Sequence, residues 1–449
     1  MKKKNVLMGL FIFAILFQVG YMLVYESPFD LNKGSDSEQY DHLALNIISG
    51  KGYVLDRRPE MILENVPYSE IHEKPTAWRV PGYPLFLTAI YKICGYSHIK
   101  LFLIQIFFCI WMFYMLYRIS FFLFGKTASY FLLAILAIWP VYACFSTQVM
   151  SEIFGCFLFT SVIYLLIFKE KLKWFAFAGG LFGLSILTRT PFLLCFPFLF
   201  LFAFYKKPRF AMVFLLCIIL VFVPWIVRNN NTFDAFIPLS TQSGEGLYWS
   251  TLPFNKEWGS VGGLNPDLYP IYFNLVSTSV GTLTSSEIFQ SETLKSMAID
   301  NIRDHPFQIL KYRLENIWIA WKYPYKMNMF DTELFDDFAS KIKIGFLIKR
   351  NSIGYWIFKI GYMFLWWMIW LYGFIFIWQH KKEKKYWLIF ILALFPLLSG
   401  CVLPIIDRLF IPFFPFILMP ACAILANFIN MKPLKPKELE TITDLKPTI

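Results

Sequence analysis

Long apolar runs punctuated by short basic clusters restrict this chain more than any other feature. The hydrocarbon core of a bilayer is about 30 Å thick, so a helix must offer roughly 20 mostly apolar residues to cross it. Such runs lie at 6–24 and near 99–118, 127–146, 149–168, 174–188, 190–205, 211–227, 355–378, 386–402 and 410–429. Only 16% of the residues are charged and 57% are hydrophobic, which excludes an ordinary water-soluble globule. The expected fold is an all-α polytopic membrane protein with about ten transmembrane helices. No small-residue cleavage site follows the first run, so 6–24 reads as an uncleaved span.

Charge then sets the sidedness. Lys2, Lys3 and Lys4, Arg118 with Lys126, and the clusters at 169–173, 206–209, 380–385 and 432–437 fall on one side if the spans number ten. The positive-inside tendency makes that side the cytoplasm. Counting 81–96 as an eleventh span would throw every later cluster to the other side, so this short segment reads as a helix at the outer interface. The net charge of +12 is therefore anchoring charge between apolar runs, not a polar face for nucleic acid.

Four regions follow: a transmembrane module at 1–228 that includes the first outer loop 26–98, an extracytoplasmic domain at 229–352, C-terminal spans at 353–431, and a Lys/Pro-rich cytoplasmic tail at 432–449. In the outer domain 286–304 reads as a helix. After Pro306, Phe307, Leu310, Leu314, Ile317 and Trp321 recur at helical spacing, with Lys311, Arg313 and Glu315 on other faces. That second helix either lies along the outer leaflet or packs against the domain above it. Trp249, Trp258, Tyr269 and Tyr272 have the faces to stack on sugar rings, although turn and core packing is the simpler explanation.

Cys109, Cys144, Cys156, Cys195, Cys217 and Cys422 lie inside apolar runs without CxxC spacing and read as small core residues. His42, His72, His98, His305 and His380 are scattered, without paired-ligand spacing, so no all-protein metal site is expected.

With this topology the ionisable residues near apolar segments collect at the outer ends. Asp36, Glu38, Asp41 and Arg79 lie in the first outer loop, Glu152 just inside the fourth span, Arg189 between the fifth and sixth, Arg228 at the end of the seventh, and Asp407 with Arg408 before the last. Charges at membrane depth are costly and so mark function or pairing. Each also has a plainer role. Ser35-Asp36-Ser37-Glu38 forms a capping box for a helix through Leu43 and Ile48, Glu152 pairs structurally with an arginine, and Arg189 and Arg228 snorkel to headgroups. Pro81 and Pro84 stop and restart a helix.

Taken in order, Asp36-Ser-Glu-Gln-Tyr40 with Gly50-Lys-Gly-Tyr53, Arg79-Val-Pro-Gly-Tyr83-Pro84, Ser151-Glu152, Gly183-Leu-Ser-Ile-Leu-Thr-Arg189, Pro224-Trp-Ile-Val-Arg228-Asn229, His305-Pro306 and Asp407-Arg408-Leu-Phe-Ile-Pro412 form a recognisable series. The chain resembles the GT-C glycosyltransferases of the glycosyltransferase 39-like group, which includes dolichyl-phosphate-mannose protein mannosyltransferases and aminoarabinose lipid A transferases. The resemblance implies a GT-C fold and an enzyme that takes a sugar from a polyprenyl-phosphate donor to a lipid, protein or glycan acceptor at the outer face of the cytoplasmic (inner) membrane, and the Phe/Ile/Lys/Asn-rich usage points to a bacterial source. The resemblance also implies catalytic acids at Asp36 and Glu152 and a donor-phosphate cation at Arg79, with Tyr40 and Tyr83 in the flanking motifs. The family's frequent Asp-Glu pair is here Asp36-Ser37-Glu38, which leaves Glu38 without an assigned role.

The residues' own chemistry agrees. A carboxylate can take the acceptor's proton as it attacks the anomeric carbon, and guanidinium groups can meet the charge growing on a leaving phosphate. Arg79 is the first choice for that task, followed by Arg189, Arg228 and Arg408. A single displacement would invert the anomeric configuration. No cofactor is required, although Asp36 with Glu152 could hold a divalent cation. Two rivals remain: a flippase for a polyprenyl-linked glycan, which should show repeated halves and broken helices at the midplane, and a glycan polymerase or ligase that uses a diphosphate-linked donor.

Overall fold

The computed structural model describes residues 2–24, 36–55, 74–252, 254–255, 260–261, 285–322, 353–399 and 411–428. Sixteen α-helices lie among them. The membrane module opens with α1 (Lys2–Val24), α2 (Asp36–Ile48) and α3 (Gly82–Cys94). It continues with α4 (His98–Phe124), α5 (Lys126–Ile138), α6 (Pro140–Ser146), α7 (Glu152–Phe168), α8 (Leu172–Thr188), α9 (Phe196–Lys206) and α10 (Pro208–Phe233). Then come α11 (Gln242–Trp249), α12 (Ser285–Asp304), α13 (Pro306–Lys322), α14 (Ile353–His380), α15 (Trp387–Ser399) and α16 (Phe414–Phe428). The strands are two short antiparallel pairs, β1 (Val54–Leu55) with β2 (Lys74–Pro75) and β3 (Phe254–Asn255) with β4 (Ser260–Val261). The all-α class expected from the apolar runs holds.

Every expected span is helical, but not every one is a full straight crossing. Asn5–Leu23, His98–Phe124, Pro208–Phe233 and Ile360–His380 are long and apolar enough to span by themselves. The run at 127–146, expected as one helix, is instead broken into α5 and α6, bent by 53° at Trp139. Pro140 explains this: it lacks the N–H an interior helical position donates and pushes the residue before it out of the helical region, as the extended Trp139 shows. The helices α7, α8 and α16 are shorter, and the segment at 190–206 begins as a 3-10 turn (Thr190–Cys195) around Pro191 before α9. At 13 residues, α3 is too short to cross, in keeping with an interfacial helix.

The main core is built from the inward faces of α4, α5, α7, α8, α10, α14, α15 and α16, with Trp366, Trp370, Phe159, Phe182, Phe192 and Phe416 fully buried. A second cluster packs α2 and α3 onto α4 and α7 through Tyr40, Ala44, Tyr83, Leu87, Leu101 and Phe154. It fixes the first loop against the bundle.

Helix α13 splits its apolar stripe. Phe307, Leu310 and Leu314 are all at least half exposed, as the outer-leaflet alternative expects, whereas Ile317 is partly buried against the main core. Arg313, on another face, is buried and donates to the Trp249 carbonyl at 3.5 Å. The side chain of Trp321 lies outside the described residues.

Candidate active site

Among the described residues, the basic clusters and the candidate site occupy opposite ends of the bundle. Helices α7 and α9 run from the site end toward Lys169 and Lys206, and α8 and α10 run back from Leu172 and Pro208 to Arg189 and Arg228. At the basic end Lys384 lies 5.9 Å from the Tyr205 ring, and Phe124 packs on both Phe376 and Tyr386.

Asp36 is the first residue of α2, and Arg79 lies in the loop that enters α3. Their side chains meet at 2.5 Å between Nη2 and Oδ1, with 28% of Asp36 and 11% of Arg79 exposed. Three further groups hold the guanidinium. Gln39 Oε1 accepts from Nε at 2.7 Å, Gln242 Oε1 accepts from Nη1 at 3.1 Å, and the Tyr40 ring lies 5.5 Å below the charge. Each nitrogen of the fork is thus directed, which suits planar recognition of an anion. Tyr83, fully buried, sets Tyr40 by an edge-to-face contact at 5.0 Å and donates to Gln105 on α4 at 2.9 Å.

A second pair stands where two spans end. Glu152 opens α7 and Arg189 closes α8, with Nη1 2.7 Å from Oε1 and 3.3 Å from Ser151 Oγ. Glu152 is 1% exposed. The arginine stem has room because residue 155 is glycine: a Cβ there would stand 2.9 Å from Arg189 Cδ. The two pairs are neighbours through the start of α3, since a Cβ on Gly82 would come within 2.6 Å of the Leu187 carbonyl and strike Thr188 Oγ1 at 2.5 Å. Stacking of Phe86 on Phe154 at 3.9 Å joins α3 to the first turn of α7 as well. Three residues before Gly82 is Arg79, and one after Thr188 is Arg189.

Arg228 is engaged differently. It donates to the backbone carbonyls of Thr76 at 2.7 Å and Tyr53 at 3.0 Å and to Asn229 Oδ1 at 2.9 Å, and it lies over the rings of Tyr53, Trp225 and Phe233. Its neighbours in the motif serve the same joint: Trp225 donates to the Leu239 carbonyl and Asn229 to that of Ile237. Glu38 is buried in α2. Asp407 and Arg408 lie outside the described residues, as do Trp258, Tyr269 and Tyr272.

Four residues of this region escaped sequence reasoning as site candidates. Gln39, Gln242 and Glu287 carry no spacing signal. Tyr53 stood in a quoted motif without a role, and its hydroxyl donates to the carbonyls of Arg79 at 2.9 Å and Val80 at 3.3 Å. Burial of that phenol, with the Tyr40 hydroxyl nearby, pushes its pKa well above the usual value, so it remains a donor. Asp41, one of the loop acids, is satisfied by Tyr91 at 2.6 Å, Tyr96 at 3.0 Å and His98 at 3.3 Å. Burial raises its pKa, but the hydrogen bonds from His98, Tyr91 and Tyr96 and the His98 charge outweigh that and hold it below the ordinary carboxylate value. It ties α2 to the α3–α4 junction and is spent there.

Residues 74–227 match the family model described as dolichyl-phosphate-mannose-protein mannosyltransferase. No curated protein matches the sequence. Among solved structures the chain resembles the archaeal oligosaccharyltransferase AglB from Archaeoglobus fulgidus, in complex with an inhibitory peptide and a dolichol-phosphate. The identity is 13% and the TM-score 0.53, over 100% of this chain and 52% of that one. The same oligosaccharyltransferase tethered to an acceptor peptide containing the NVT sequon superposes with a TM-score of 0.52 at 12% identity, over 94% and 50% of the two chains. ArnT from Cupriavidus metallidurans, bound to undecaprenyl phosphate, is matched over 94% of this chain and 81% of that one at 12% identity. Its TM-score of 0.40 is too low to build on. The chain spans about half the length of the archaeal protein. The resemblance read from the motifs is borne out over 74–227, and the fold is that of the archaeal oligosaccharyltransferase.

Proposed function

We propose that the chain is an integral membrane glycosyltransferase that moves a sugar from a polyprenyl monophosphate to a lipid, protein or glycan acceptor at the extracytoplasmic face, with inversion at the anomeric carbon. The observation that carries this reading is the direct contact of Asp36 with Arg79 at the end of the bundle away from the basic clusters. A carboxylate able to take a proton and a guanidinium able to meet a phosphate stand side by side in a partly open site. The match of 74–227 to a family of lipid-phosphate-dependent mannosyltransferases supports it.

The step needs little else. An acceptor hydroxyl or amine attacks the anomeric carbon as its proton passes to an Asp36 oxygen. The bond from that carbon to the phosphate oxygen breaks, and its electron pair leaves with the polyprenyl phosphate. Before this, as the donor binds, Arg79 exchanges part of its contact with Asp36 for the phosphate, which frees the carboxylate as a base. Glu152 and Arg189 hold the wall behind this pair. Two guanidinium groups already face the two acids, so the reading asks for no divalent cation. Activity lost to a chelator and restored by a metal would overturn that part.

Purified full-length protein offered matched polyprenyl monophosphate and diphosphate sugars tests the reading, with product traced onto envelope extract from cells lacking the gene. Consumption of the monophosphate donor alone is the expected result. Use of the diphosphate alone would make it a polymerase or ligase, and movement of an intact lipid-linked sugar across vesicles without transfer would make it a flippase.

A further inference from the structure

The segment that carries Arg79 is gripped from both sides by charged groups outside the reacting pair. Glu287, on α12 of the outer domain, is 1% exposed. Its carboxylate accepts from the Thr76 hydroxyl at 3.1 Å, from the Ala77 backbone N–H at 3.1 Å and from the Thr241 hydroxyl. Thr76 Oγ1 also accepts from the Trp78 N–H at 3.0 Å. From the bundle side, Arg228 on α10 takes the Thr76 carbonyl and the Tyr53 carbonyl, and Tyr53 in turn holds the Arg79 carbonyl. The Ala77 carbonyl accepts from the Thr241 N–H at 3.0 Å, one residue before Gln242, whose amide receives Arg79 Nη1.

We infer that Glu287 and Arg228 are positioning residues that set the Arg79 guanidinium: they clamp Thr76 and Ala77 between the outer domain and the bundle. A carboxylate suits the clamp, because it accepts from all three donors at once. An amide would set its NH2 against Thr76 Oγ1, which already accepts from the Trp78 N–H, so the Thr76 hydroxyl would lose its own acceptor. A buried donor left unmet costs about 1–3 kcal/mol, so the loop at 76–78 gives way first, since it lies in neither helix nor strand. The inference deepens the proposed function and rests on it only for what Arg79 then binds.

Glu287→Gln in the full-length protein tests the clamp by two readouts. Hydrogen exchange at the Ala77 and Trp78 amides should rise between about 10- and 100-fold, while α3 and the bundle keep their protection. Unchanged exchange there overturns the inference. Affinity for a polyprenyl monophosphate should fall about tenfold in Glu287→Gln, but not further in Glu287→Gln made on Arg79→Gln, because a residue that acts through Arg79 has no effect once Arg79 is gone. An undiminished additive loss overturns the positioning role. Should Glu287→Gln fail to fold, Thr241→Val removes one of the three donors and keeps the carboxylate, and the same two changes are expected at smaller size. If Glu287→Gln shows the exchange effect while the wild-type protein binds no monophosphate, the clamp is supported and the donor reading sinks, so the two failures are distinct.

Discussion

Asp36 and Arg79 meet at 2.5 Å with 28% and 11% of their side chains exposed, whereas Glu152 and Arg189 meet at 2.7 Å with 1% and 13% exposed. The first pair joins a helix start to a loop 43 residues further along the chain, and the second joins the ends of two packed spans. Water reaches the carboxylate of the first, so Asp36 can change partners. The carboxylate of the second is sealed, so taking Arg189 away would leave a charge behind in a dry site, at a cost of about 3–5 kcal/mol. Like chemistry in unlike surroundings thus separates a pair suited to reacting from one suited to holding the wall.

The sharpest way to break this contrast is Asp36→Asn. Transfer should fall between about 100- and 10,000-fold, the usual range for a lost general base, with thermal stability in detergent nearly unchanged. Wild-type turnover would leave Asp36 with helix capping alone. Glu152→Gln should show the opposite balance: destabilisation of about 1–3 kcal/mol by denaturant titration in micelles, as Arg189 loses its charged partner. A soluble, fully stable Glu152→Gln enzyme without activity would erase the distinction. Next in size is Gly155→Ala, where the added methyl meets Arg189 Cδ at 2.9 Å. It should cost about 1–3 kcal/mol as overpacking and lower activity only as far as Arg189 is displaced.

The smallest effect concerns Asp41, the buried acid of the same loop that takes no part in either pair. Its folded pKa is depressed, so its contribution is present above the unfolded carboxylate value of about 3.9 and lost as pH falls through the folded value. Wild type should therefore lose more stability than Asp41→Asn on acidification from pH 6 to below pH 4, read as the difference in unfolding midpoints. An identical acid slope in both would mean that His98, Tyr91 and Tyr96 do not favour the charged form.

The pairing of Asp36 with Arg79 was legible as a common location, because both lie in one loop on one side of the bilayer. Their contact was not. The arginines also looked alike in sequence, each ending or flanking an apolar run, yet Arg79 faces an acid and two amides while Arg228 faces carbonyls. Sequence spacing cannot tell these apart, since the partners of Arg228 come from 152 and 175 residues away. The single span expected at 127–146 failed for a local reason, Pro140, that the apolar count ignored.

Hydrophobic length and the parity of basic clusters act along the chain, one segment at a time. They were therefore enough to determine from sequence alone that this is a helical membrane protein, and to place its acids and guanidinium groups at one common end. Which acid meets which cation, and that Glu287 grips a backbone 210 residues away, depends on long-range packing among α2, α3, α8, α10 and α12. Only the folded chain decides that, because a hydrogen bond is specified by geometry within about 3 Å and no one-dimensional pattern carries it.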